Sequence, residues 1–188
     1  MKFSNFKKTE NGQILIESLV SISMAMVALL GVITLLTNSI GINKSIGREH
    51  TAVYLAAEGI EVVKSLIDDN YMDDCAWNGR GLGTGKYELS YKTEINVETC
   101  NESFNGPWRN VSGFGEARNL RVNPKGFYGY DSSWPKTPFK RFVSINFEDV
   151  NGQGDARMLI KSHVRWNKKG GGTERIVLEA HYYNWRPN

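Results

Sequence analysis

The chain has 188 residues, a 40% hydrophobic share, a formal charge of +3 and two cysteines. That length suits one ordinary domain plus an extension. No long run of Lys and Arg occurs, which argues against nucleic acid as a main partner, and His50, His163 and His181 stand in no nucleophile-and-base spacing that would point to an enzyme.

The apolar residues are concentrated near the N-terminus. Gln13 to Ile40 is a dense apolar block, and 26 consecutive residues between Glu17 and Lys44 carry no charge. As a helix that run would reach about 39 Å, more than the roughly 30 Å hydrocarbon core of a bilayer. Met24 to Leu30 cover every side of such a helix, the pattern of a segment in lipid or deep in protein. Glu17 alone breaks the pattern, and a carboxylate in hydrocarbon is costly without a partner. A cleaved secretory signal fits poorly, because the run is longer than the usual core of about 7–15 residues and no small-x-small site follows. A plain single-pass anchor explains the run but gives Glu17 no role. The third explanation is a short leader cut ahead of the run, with the helix retained.

The residues "MKFSNFKKTENG" followed by "QILIESLV" resemble the processing site of type IV pilins and pseudopilins. In that family a short basic leader ends in Gly and an apolar helix with an early Glu follows. Gly12 matches the residue before the cut, and Leu15, Ile16 and Glu17 match the family motif in order. Gln13 and Ile14 stand where the family usually has Phe and Thr, and the apolar run lacks the proline many pilins carry. The resemblance implies cleavage by a prepilin peptidase between Gly12 and Gln13, with Gln13 the candidate for N-methylation. It implies residence in the lipid bilayer, transfer by an inner-membrane assembly platform, and packing with other pilin subunits in a filament. Glu17 would pair with the terminal amine of a neighbour and set the axial stagger, as a buried polar residue sets register in a coiled coil. The part it implies is structural, that of a minor pilin or pseudopilin rather than a major pilin, with no cofactor and no metal.

Loss of the leader removes three Lys and one Glu, leaving 20 basic and 19 acidic residues and a charge near +1. Lys2, Lys7 and Lys8 precede the apolar block, against Lys44 and Arg48 after it, which favours a cytoplasmic N-terminus. The head would then lie outside the cytoplasmic membrane, and later on a filament or the cell surface. The competing reading is a membrane-anchored surface binding module that keeps its N-terminus.

The expected organisation is a leader at 1–12, an apolar helix at 13–43, an amphipathic continuation at 44–70, and a β-rich head at 71–188 with an irregular loop at 96–138. In the continuation, Val53, Ala56, Ala57, Ile60, Val63 and Ile67 follow helical spacing, widened by Leu55, Val62 and Leu66. Gly41 and Gly47 would loosen the helix between its halves. "DDNYMDDC" groups four aspartates without the spacing or glycine of a calcium loop, and reads as a solvated helix end. Cys75 and Cys100 have no zinc-type spacing and are a disulfide candidate in an oxidising compartment.

Alternation in the head predicts strands. Tyr87, Leu89, Tyr91, Thr93 and Ile95 share a face over 86–96, as do Val143, Ile145 and Phe147. Met158, Ile160, Val164 and Trp166 form a third set, and Ile176, Leu178, Ala180 and Tyr182 a fourth. "NGQGD" and "NKKGGG" separate the last three, giving an antiparallel meander. The predicted fold class is α+β, with a long N-terminal helix packed on a C-terminal antiparallel sheet. Within 96–138, Trp108, Tyr128, Tyr130 and Trp134 either present a surface to a ligand or partner, or fill a small core, the commoner fate of such rings.

Overall fold

The computed structural model describes residues 11–93, 100, 108–149, 157–168 and 171–184. Among them one helix, α1 (Asn11–Met72), precedes seven strands. These are β1 (Gly85–Glu88), β2 (Arg109–Asn110), β3 (Asn119–Val122), β4 (Tyr128–Gly129), β5 (Lys136–Glu148), β6 (Arg157–Asn167) and β7 (Thr173–Tyr183). The chain divides into two compact units, Met1–Gly47 and Arg48–Asn188.

In the first unit the described residues are helical, Gly41 and Gly47 included. From Gly12 to Lys44 every residue is exposed, Leu15, Val27 and Leu35 by 70% or more. The segment is long and apolar enough to cross a membrane. Four of its six hydroxyls are compatible with that solvent. Ser18 donates to the Leu15 carbonyl, Ser23 to Leu19, Thr34 to Leu30 and Thr37 to Ile33, so none of the four needs water.

In the second unit the rest of α1 packs on the sheet. Its buried stripe is Ala52, Leu55, Ala56, Gly59, Val63, Leu66, Ile67 and Asn70, spaced by three and four residues. Val53, Ala57 and Ile60, expected at its centre, lie half-buried beside it. Small residues explain the rotation, because Ala52, Ala56 and Gly59 let the backbone approach the strands. At Gly59 a methyl group would fall 2.5 Å from Ser162 Oγ and 3.1 Å from a Val143 methyl. The helix stops in a Schellman turn: Cys75 N–H donates to the Asn70 carbonyl, Asp74 N–H to that of Tyr71, and Asp74 takes the left-handed conformation, φ 52°.

The sheet is antiparallel and β5 is its spine. One edge of β5 pairs with β6 from Lys140↔Arg165 to Glu148↔Arg157. The other is shared by β3, at Lys136 and Lys140, and β1, from Val143 to Ile145. β2 extends β1, β4 extends β3, and β7 pairs with β6 along its length. The expected meander is therefore β5–β6–β7. Its inward residues behave as the alternation predicts: Val143, Ile145, Met158, Ile160 and Val164 are fully buried, Trp166 nearly so, and Ile176 to Tyr182 alternate half-buried with exposed.

Two expectations are corrected. β1 ends at Glu88 instead of running to 96, because Thr93 N–H turns back to the Ser90 carbonyl. Ile95 lies outside the described residues. The 96–138 segment is also less irregular than its composition suggests, since its described part contains β2, β3, β4 and the start of β5. Part of it covers the outer face of the sheet: Phe114 packs edge-on to Phe142 at 4.7 Å, and Phe142 stacks on His163 at 4.5 Å. Phe142 and Ser144 are therefore buried on a face that alternation leaves to solvent.

Candidate functional site

Two places combine unusual chemistry with position. The first is the start of α1. Gly12, Gln13, Leu15, Ile16 and Glu17 all lie in its opening turns, and Gln13 to Glu17 are exposed. Gln13 and Glu17 are four residues apart, hence on one helix face and about 6 Å apart along the axis.

The second is a cleft of about 300 Å³ in the head, whose walls include Tyr91, Trp108, Tyr130, Trp134, Arg109 and Arg118. The fold thus joins three of the four aromatic residues singled out from the sequence. Tyr128 does not line the cleft; it packs, as Tyr130 also does, against the cluster of Ala52, Leu55, Leu120, Phe139 and Trp166. The cleft rings are held from behind. Tyr87 lies against Trp108 with centroids 4.3 Å apart, and Trp134 abuts Gly129, where a methyl group would approach its ring to 3.0 Å. Tyr130 donates its hydroxyl to the Arg141 carbonyl, 3.2 Å away. Burial pushes its phenol up to about 12, so it stays protonated at any physiological pH.

Cations stand over these rings. Lys92 Nζ is 5.2 Å from the Trp134 ring centre, and the Arg118 guanidinium is 4.7 Å from that of Tyr130. Both arginines of the cleft rest on Glu88, whose side chain is fully buried. Arg118 donates to it through its backbone N–H and, at 2.7 Å, through Nε, while Arg109 Nη1 lies 3.4 Å away. A second hollow of about 310 Å³ shares Arg118 and Tyr130 with the first and adds Arg121, Lys136, Lys140 and Glu116.

Sequence reasoning missed Glu88 and Arg141, the two charges that are completely buried among the described residues. Arg141 reaches under the helix, donating to the carbonyls of Leu55 and Leu89 at 2.8 Å each and pairing with Glu58 at 3.3 Å. For Arg141 the one available signal was a charge in phase with the inward Val143 and Ile145; Glu88, out of phase with Tyr87 and Leu89, gave no such signal.

Cys75 and Cys100 form a disulfide, with Cα atoms 5.4 Å apart. The Schellman turn that ends α1 places Cys75, buried, for this bond. In the aspartate cluster, Asp73 pairs with the buried Arg80 at 2.6 Å. The carboxyl of Asp69 is raised by burial and by neighbouring Asp73 and Asp68. Among the described residues no group of three His, Cys, Asp or Glu is placed to hold a metal ion. No family model, no curated protein and no solved structure matches this chain.

Proposed function

We propose that the chain is a structural subunit of a type IV pilus-like or type II secretion pseudopilus filament. It is cut after Gly12 by a prepilin peptidase, methylated at Gln13, and assembled through the apolar part of α1. The observation that carries this reading is one carboxylate, Glu17, five residues after Gly12 and at the head of 26 uncharged residues. Cutting after Gly12 frees an amine at Gln13, on the first turn of the retained helix. In a bundle of such helices the amine and a neighbour's carboxylate offset each other's desolvation, and the pair has one favoured axial position. Exposure of the apolar side chains from Ile14 to Ile42 supports the same reading, as does the bonding of Ser18, Ser23, Thr34 and Thr37 to carbonyls of their own helix. The chain is then the substrate of the processing chemistry and carries out none itself.

Glu17→Ala tests the pairing. The variant is expected to be processed like the parent yet to be depleted from filaments sheared off the cells. Incorporation at the parental level would contradict the role given to Glu17. A membrane-anchored surface module with an uncut N-terminus is the second reading, favoured by the aromatic cleft of the head, and the two predict different N-termini.

A further inference from the structure

We propose that the cleft between Trp108, Tyr130 and Trp134 binds a carboxylated sugar, the uronic-acid type of residue found in acidic glycans. The inference concerns the head alone and stands whether or not the chain polymerises.

Arg118 carries the argument. Glu88 engages its backbone N–H and its Nε, and the guanidinium lies over Tyr130. Both terminal Nη groups are without a hydrogen-bond partner among the described residues, although the side chain is held in place from below. A fixed, planar guanidinium with two parallel donors free matches a carboxylate in the bidentate geometry. Arg109 is similarly incomplete: among the described residues only its Nη1 is used, by Glu88 and by the Glu116 carbonyl. The buried carboxylate beneath both arginines acts as a base plate that orients cations toward the opening.

The rings supply the second half of the site. Trp108 and Trp134 line the cleft only partly exposed, each backed by protein. Flat, rigid aromatic surfaces suit the apolar C–H face of a pyranose, and a hollow of about 300 Å³ is at the small end of ligand pockets. It has room for one or two sugar rings. Sugar hydroxyls are donors and need acceptors. Asp131 on the rim offers Oδ2, since Ser133 takes only Oδ1. The Ser133 backbone N–H and hydroxyl hold the Asp131 carboxyl below its usual range, so it is ionised at neutral pH.

Charge separates this ligand from a nucleic acid strand. The two adjoining hollows carry Lys92, Arg109, Arg118, Arg121, Lys136 and Lys140 against Glu88, Glu116 and Asp131. Six less three is an excess of three, equal to the formal charge of the whole chain. That field draws anions. Arg121 and Lys140 are nevertheless tied to backbone carbonyls, and Asp131 would face a phosphodiester with like charge. One carboxylate beside several hydroxyls meets both the arginines and the aspartate.

The test uses the full chain in detergent micelles and follows tryptophan fluorescence during titration. The probes are a galacturonic acid trisaccharide, the matching neutral galactose trisaccharide and a short thymidine oligonucleotide, all at one salt concentration. The acidic sugar is expected to bind, with the neutral one at least about tenfold weaker. Arg118→Gln is expected to weaken the acidic sugar about 10- to 100-fold, the loss of a charge-assisted hydrogen bond pair, and to leave the neutral sugar unchanged. If Arg118→Gln unfolds, the exposed Asp131→Asn provides an independent reading, weakening both sugars alike. Equal binding of the two sugars, tighter binding of the oligonucleotide, or no binding of the acidic sugar would each overturn the proposal.

Discussion

Gly59 and Ser162 form a contact whose energetics can be worked out atom by atom. An alanine at 59 would set its methyl group 2.5 Å from Ser162 Oγ, 3.1 Å from Val143 and 3.4 Å from Arg141 Cδ. Overpacking of this kind costs about 1–3 kcal/mol, while replacing a mid-helix glycine by alanine returns about 1 kcal/mol. Gly59→Ala alone is therefore expected to destabilise by about 1 kcal/mol. The closest atom is a hydroxyl, and Ser162 Oγ is buried with no hydrogen-bond partner among the described residues. Ser162→Ala removes that oxygen and is expected to be neutral or stabilising by up to about 1 kcal/mol. In the double variant the 2.5 Å contact is gone and the helical gain remains. It should be at least as stable as the parent, with a coupling of about 1–2 kcal/mol between the sites. Urea unfolding of the four proteins in micelles, followed by tryptophan fluorescence, measures the cycle. Additive effects would refute the claim that Gly59 is required by close approach to β6.

Arg141→Met should cost about 3–5 kcal/mol, because it strips a buried donor from the carbonyls of Leu55 and Leu89. Glu58→Gln, acting on the partly exposed end of the same pair, should stay within about 1 kcal/mol in the same unfolding assay. Replacing Cys75 and Cys100 together by serine should cost about 3.5 kcal/mol, the loop-closure entropy for 25 residues, seen as a lower urea midpoint. His163 is pushed below its ordinary value, first by burial and then by Lys86, Arg175 and Lys161. The unfolded chain then takes up that proton more readily, so stability is complete above about pH 6.5 and falls as pH drops below it. The urea midpoint should decline from pH 8 to pH 5.5, and His163→Gln should lessen the decline.

The sequence exposed whatever depends on period. The apolar run, the helical spacing of Ala56, Val63 and Ile67, and the alternation of β5, β6 and β7 all appear as one-dimensional patterns. What it hid depends on proximity across the fold. Gly59 looks like an interruption of a helix until Ser162 is placed beneath it. Glu88 and Arg141 look like ordinary surface charges until the cation pair from the 108–118 segment and the carbonyls of Leu55 and Leu89 close around them. The end of β1 was missed because the turn that stops it sits inside an alternating stretch. The aromatic residues of the cleft were visible as a composition bias. Their separation from Tyr128 was not, since three turns between Trp108 and Trp134 decide which rings face the same hollow.

The role proposed for Glu17 requires an amine that cleavage after Gly12 would create. Filaments sheared from cells, separated from membranes and analysed by intact-mass spectrometry, test it most directly. The expected species begins at Gln13, lacks the twelve residues Met1 to Gly12 and is heavier by one methyl group. Polymerised protein that still carries Met1 to Gly12 would contradict it.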